Sequence, residues 1–210
     1  MLLASRHEGV KTANPLQGEG KMPSHGLEWL WQQLRDVRRP QILDCGPLRQ
    51  TTLDILLRRG VKLCVADLVS PLQRGNPKFW DKSKKIPMFL TDVLLEQVPS
   101  VEVGTQDAVL LWHLLDMIPP EAVPPVVERA FSYLKPGGIL FALLRQPYLA
   151  DGSDTVCWLE NLTFIQTETN GKKPFAYPVV TNRQIESLLP EGSVKIFLTR
   201  SGRREVVALR

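Results

Sequence analysis

No stretch of this 210-residue chain approaches the roughly 18 consecutive apolar residues of a membrane-spanning helix. Cysteine is scarce. Cys45, Cys64 and Cys157 show no paired spacing for a metal, and the odd count leaves one thiol over in any disulfide scheme. Two of them fall in apolar runs that read as core strands, so reduced thiols and a cytoplasmic setting are expected. The opening MLLASRHEGVK reaches Arg6 before a signal-like apolar core develops, which argues against export. A concentrated block of one charge is also missing. The net charge is +4 and the pI about 9.0, yet Arg35, Arg38, Arg39, Arg58 and Arg59 lie near the ends of predicted helices, where the dipole favours cations without any partner. The remaining clusters, Lys78/Lys82/Lys84/Lys85 and Arg200/Arg203/Arg204, lack interleaved stacking aromatics, so no nucleic-acid partner is expected.

What is present suits one α/β domain. The pivotal stretch is QILDCGPLRQTTLDILLRRGVKLCVADL, residues 41–68. Gln41–Cys45 reads as a first strand stopped by Gly46-Pro47. Leu53, Leu56 and Leu57 recur at helical spacing before Arg58-Arg59-Gly60, a helix end with its stop glycine. Val61–Ala66 is a second strand closing on Asp67. Strand, turn, helix, strand and carboxylate form a βαβ unit of the kind that takes a nucleoside at the carboxyl ends of parallel strands, with the acid at the offset that meets a ribose hydroxyl.

Around that unit, residues 1–23 have no periodicity and are expected to form a mobile tail, leaving 24–210 as a single domain. A helix is predicted after Ser24, with Leu27, Leu30, Trp31 and Leu34 on one face, ending by Pro40. Trp29 and Trp31 read as packing residues or as a lid over a ligand. Ser70–Lys85 is irregular, Ile86–Leu90 reads as a third strand closing on Thr91-Asp92, and a short helix follows over Val93–Val98. Asp107–Trp112 is an unbroken apolar run suited to a strand buried on both faces. A long helix follows from Pro120 to Leu134, stopped by Lys135-Pro136-Gly137-Gly138, and Ile139–Leu144 is a fifth strand. The pattern then dissolves between Arg145 and Val180, a length more often functional than idle. Thr181-Asn182 caps a helix through Leu189, and Ser193–Thr199 with Glu205–Leu209 form a closing hairpin.

This order resembles the class I S-adenosylmethionine-dependent methyltransferases, closest to their small-molecule (type 11/12-like) branch, over about residues 25–210. Ile42-Leu43-Asp44-Cys45-Gly46 is similar to the start of the family's V-L-D-x-G-x-G-x-G motif. Val65-Ala66-Asp67 resembles the second motif, whose acid holds the ribose diol, and Leu90-Thr91-Asp92 the third, whose acid receives the adenine amino group. DAVLLWHLLDMIPPEAVPPVVERAFSYLKPGGILF is similar to the family's longest shared stretch. The resemblance implies a three-layer αβα sandwich: a Rossmann-like, seven-stranded, mostly parallel sheet with a C-terminal antiparallel hairpin. It implies S-adenosyl-L-methionine as cofactor, held by Asp44, Cys45, Gly46, Pro47, Asp67, Leu68, Thr91, Asp92, Val93, Trp112 and His113. It also implies a small-molecule acceptor beneath the 145–180 segment. The sequence departs from the family at Leu48 and Gln50, which replace the second and third motif glycines and would narrow the slot for the cofactor, while Pro47 removes an N–H from the turn.

Each role has a plainer alternative. Asp67 could cap the next turn, and Asp92 could be the N-cap of the short helix. His113, at the end of the fourth strand, could serve as general base or line the cofactor shelf through its backbone. Trp112 could pave the pocket or fill the core, and Asp116, Tyr148 and Tyr177 are further candidates from loops at the same edge. Three functions compete: a methyltransferase, a non-catalytic relative kept as a binding or scaffold module, and a nicotinamide dehydrogenase. The last is disfavoured by the absence of G-x-G-x-x-G.

Overall fold

The computed structural model describes residues 20–83, 85–146, 153–174, 176–199 and 202–210. The buried run read at 107–112 is strand β6 (Gln106–Trp112), flanked by β2 (Gln41–Asp44) and β7 (Leu134–Arg145), both parallel to it. β3 (Lys62–Val65) adds to β2 in parallel, and the hairpin β10 (Val194–Leu198) with β11 (Arg203–Leu209) adds to β7 antiparallel. Among the described residues the order is β10-β11-β7-β6-β2-β3, a mixed sheet of six strands where seven were expected. Alternate residues of the inner strands feed two separate cores, as period-2 side chains require. Val109 and Leu111 pack with Val126, Val127 and Ala130 of α5 (Val123–Tyr133). Ala108, Leu110 and Trp112 pack with Leu27, Leu30 and Trp31 of α1 (His25–Gln33) and Leu56 of α2 (Gln50–Arg58).

Local signals explain most element ends. Ser24 caps α1 by accepting from Leu27 N–H at 3.1 Å. Gly60 stops α2 with φ +82°. In α2 the buried face is Thr52 and Leu56, whereas Leu57 is exposed, so the helix is rotated from the predicted stripe. Pro120 sits in a 3-10 turn, and Pro124-Pro125 occupy the first turn of α5, where an N–H is dispensable. Residues 135–138 open β7 instead of forming a separate turn: the Lys135 ammonium pairs with Asp107, and a Cβ on Gly138 would lie 2.8 Å from the Gln106 carbonyl oxygen. The helix read through Leu189 is α6 (Asn182–Ser187), entered by a capping box of Thr181 and Gln184.

Three expectations are corrected. The third strand is only β5 (Met88–Phe89), which pairs antiparallel with β4 (Trp80–Asp81) as a separate ribbon. Met88 is exposed and Ile86 more so, and a run wet on one side cannot be an inner parallel strand. The segment read as patternless holds a hairpin, β8 (Ser153–Asn161) and β9 (Phe164–Pro174). Residues 20–23, placed in the tail, form β1 (Gly20–Pro23), the third strand of that small sheet, in the order β1-β9-β8. Residues 1–19 lie outside the described residues. Among the described residues no helix is long and apolar enough to cross a membrane.

The small sheet leans on the N-terminus of α2. Leu159 N–H donates to Thr52 Oγ1 at 3.3 Å, and Arg49 reaches Glu168 at 3.2 Å with its guanidinium 4.7 Å over the Trp158 ring. Its Leu159 and Ile165 join the core shared by α1 and α2.

Candidate functional site

β2 ends on Asp44, whose side chain turns over the loop that follows. Its Oδ1 accepts from Gly46 N–H at 2.9 Å and from Trp112 Nε1–H at 2.7 Å. Its Oδ2 has no hydrogen bond or ion pair among the described residues. Burial raises this carboxyl to about 6; the Gly46 and Trp112 donors pull it down, and the Asp67 charge pushes it up. Asp44 and Asp67 therefore share one electrostatic site, as a βαβ unit with acids at successive strand ends should arrange.

Trp112 holds the other side. Its backbone is left-handed, φ +49°, a conformation that costs a bulky residue about 1–3 kcal/mol and clusters at functional sites. The indole packs edge-on to Phe141 at 6.0 Å and lies flush on Gly46, where a Cβ would meet its Cδ1 at 2.2 Å. Gly46 is required by this indole. The two glycines that the motif lacks are a separate matter: Leu48 is 58% exposed, and exposed Gln50 bonds Asp54 at 2.8 Å. Both side chains are thus turned toward solvent.

Asp67 follows β3. Its Oδ1 accepts from Ser70 N–H at 2.8 Å, starting α3 (Val69–Gln73), and its Oδ2 from Leu48 N–H at 3.2 Å. It thus caps the turn, as the plainer reading held, and also pins the β2–α2 loop. A carboxylate oxygen accepts two hydrogen bonds, so both keep capacity for a ligand hydroxyl. Cys45, Pro47 and Leu68 are buried. Cys45 N–H donates to the Leu110 carbonyl at 2.9 Å and Leu68 N–H to the Cys45 carbonyl at 3.2 Å, so these two hold the strand tips through their backbone. Burial pushes the Cys45 thiol far up, leaving it a neutral core residue.

Thr91, Asp92 and Val93 form the first turn of α4 (Thr91–Leu95). Leu90 occupies the cap position, so Asp92 is not the N-cap; its carboxylate is exposed and unbonded among the described residues. This third acid is carried by α4, which follows the β4–β5 ribbon, and not by the end of a strand of the main sheet.

His113 is 2% exposed, with Nδ1 3.2 Å from Asp116 Oδ2. Asp116, fully buried, also accepts from Arg145 N–H at 2.9 Å and lies 3.5 Å from the Arg145 guanidinium. Burial alone would lower His113; the Cys157 and Asp116 charges outweigh it and raise the ring. Asp116 is a buried anchor. Tyr177 gives its carbonyl to Arg145 at 2.6 Å, and burial raises its phenol; Tyr148 lies outside the described residues. Trp31 packs in the core and Trp29 against its edge, so neither is a lid. Sequence reasoning missed Arg49 and Arg145, whose partners lie 29 to 119 residues away and leave no local signature.

No protein-family model matches the chain, and no curated protein matches it. Comparison with solved structures returns S-adenosylmethionine-dependent methyltransferases. A Burkholderia thailandensis 1,6-didemethyltoxoflavin-N1-methyltransferase, solved with 1,6-didemethyltoxoflavin and S-adenosylhomocysteine, is 16% identical with TM-score 0.48, over 88% of this chain and 76% of its own. The N-methyltransferase NodS of Bradyrhizobium japonicum WM9, in complex with S-adenosylhomocysteine, is 13% identical with TM-score 0.46, over 87% and 83%. A methyltransferase from Mesorhizobium loti is 15% identical with TM-score 0.48, over 88% and 98%. Likeness at this level concerns chain course only, and the chemistry has to come from this chain's own residues.

Proposed function

We propose that the protein binds S-adenosylmethionine across the tips of β2 and β3 and transfers its methyl group to a small-molecule acceptor. The observation that carries this is the Asp44 carboxylate: buried, beside a second acid, with one oxygen that nothing among the described residues satisfies. Burial raises this carboxyl, and a cationic ligand group seated against Oδ2 would favour its charged form. The ammonium of the cofactor's methionine portion is such a group. Asp67 retains acceptor capacity for the ribose hydroxyls, and the exposed Asp92 carboxylate suits the adenine amino group. When bound, the cofactor supplies an electrophilic methyl. The chain's part is to orient and to exclude water, with Trp112 on one wall and the acceptor lying beneath the 145–180 segment.

Titration with S-adenosylhomocysteine tests the reading: heat of binding and a thermal shift are expected, and neither at millimolar ligand overturns it. One observation favours a second reading, a non-catalytic binding or scaffold module. The Trp112 indole covers Gly46, and Leu48 N–H and Ser70 N–H already donate to Asp67, so part of the loop's acceptor capacity is used from within. Methyl turnover onto any acceptor would exclude that alternative.

A further inference from the structure

Between the first turn of α5 and α6 lies a cavity of about 190 Å³ that shares no residue with the site proposed for the cofactor. Its floor is apolar. Ile118, Val123, Val180 and Leu188 pack in the core on the α5 side of the sheet, whereas Trp112 packs in the core on the other side. Pro120, Pro124 and Pro178 form an exposed rim. Among the described residues no charged side chain lines it. The polar side chains come from one face of α6. Ser187 Oγ–H already donates to the Gln184 carbonyl at 2.8 Å. Gln184 Oε1 is turned to Thr181, accepting from its N–H at 2.8 Å and from its hydroxyl at 2.9 Å. That leaves the Gln184 amide nitrogen, which donates to nothing among the described residues. The walls are held in place without a ligand. Buried Arg145 donates to the Tyr177 carbonyl at 2.6 Å and buried Arg204 to the Val180 carbonyl, tying residues 178–180 to β7 and β11. The capping box and buried Ile185 fix α6, and the rim prolines have φ set by their own rings.

We propose that this cavity is a second ligand site, which takes a small neutral molecule built on one ring and bearing an acceptor oxygen. Size sets the first condition. An apolar cavity of about 150 Å³ takes benzene, so this one takes a single ring with a short substituent and nothing longer. The lining sets the second. An ionised ligand would give up its water for walls that offer no opposite charge, whereas a neutral ring exchanges water for Val123, Val180 and Leu188. Gln184 sets the third. Its unused amide N–H is a donor to a carbonyl or hydroxyl oxygen, and one placed polar group in a mostly apolar pocket fixes the orientation of what binds there. Because the walls are already fixed, little ordering is required when the ligand enters. No bond is made or broken in this site. It lies on the α5 side of the sheet and uses none of Asp44, Asp67 or Trp112, so its occupation is independent of the cofactor.

The experiment uses the full chain with its methyl groups labelled for NMR, and three probes of similar shape. Acetophenone has the ring and the oxygen, cumene (isopropylbenzene) lacks the oxygen, and benzoate carries a charge. Acetophenone should shift the methyl signals of Ile118, Val123, Val180 and Leu188 saturably and leave those of Leu27 and Leu30, in the other core, unmoved. Benzoate should bind about tenfold more weakly or not at all. Q184E keeps an oxygen for Thr181, and with it the capping box, but has no N–H to give. It should weaken acetophenone about fivefold, the worth of one hydrogen bond, and leave cumene unchanged. S-adenosylhomocysteine should not displace acetophenone, so the two sites are tested separately and either can fail without the other. No saturable shift at those four residues, benzoate bound as tightly as acetophenone, displacement by S-adenosylhomocysteine, or a Q184E protein that treats acetophenone and cumene alike overturns the proposal.

Discussion

Replacing Asp44 by Asn isolates the electrostatic cost on which the proposed function stands. The folded carboxyl sits at about 6 against an ordinary 3.8, so the native state binds a proton more tightly than the unfolded chain. A raised acid gives its full stabilisation below the unfolded value, and that is lost as pH rises through the folded one. From a pH well below 3.8 to pH 7.5 the loss is about 3 kcal/mol. Asn keeps the Oδ1 acceptor for Gly46 and Trp112 but leaves a buried N–H group to satisfy, which returns about 1 kcal/mol of destabilisation. D44N should therefore be more stable than wild type by about 2 kcal/mol at pH 7.5 and equal or less stable at pH 4. Urea unfolding at half-unit steps of pH measures this. Glu205, also raised by burial, adds slope of the same sign to both proteins and cancels in the difference. A D44N protein that is less stable than wild type at pH 7.5, with an unchanged pH slope, refutes the reasoning.

Further outcomes follow from the same contacts. G46A drives a Cβ into the Trp112 ring and should cost about 1–3 kcal/mol in urea unfolding; G46A combined with W112A should cost clearly less than the sum of the two single changes. D116N removes the anion between His113 and Arg145 and should cost about 3–5 kcal/mol by the same assay. R49A breaks a half-exposed pair with Glu168 and should cost less than about 1 kcal/mol. Restoring the motif glycines as L48G/Q50G should leave S-adenosylhomocysteine affinity by calorimetry within threefold, because both side chains are turned toward solvent; a tenfold gain would show that they obstruct the loop.

The parts of this fold that were legible in the sequence are those whose cause is local. The run at 107–112 is buried on both faces, and its composition says so. Ser24, Gly60 and Thr181 act within four residues of themselves, and their caps were readable. Asp44 and Asp67 were legible because a βαβ unit ties sequence offset to spatial neighbourhood. What failed depended on distant pairing. Residues 20–23 have no strand pattern of their own and become β1 because β9 offers an edge. Residues 153–174 read as loop because their apolar side chains answer to α1 and α2, not to a regular alternation. Met88 and Phe89 resemble a core strand until the exposure of Ile86 is known. The role of Gly46 was read from the motif, but its cause is the indole of Trp112, 66 residues later, and no spacing rule encodes that contact.

The most direct measurement is calorimetric titration of S-adenosylhomocysteine at pH 5.0 and 7.5, on wild type and D44N. If a cationic ligand group seats against Asp44, wild type binds at pH 7.5 with Kd below about 1 mM, weakens about tenfold at pH 5.0 as the carboxyl protonates, and D44N loses both the affinity and its pH dependence. Absent heat in wild type, or binding that is equally tight at both pH values and in D44N, contradicts the account.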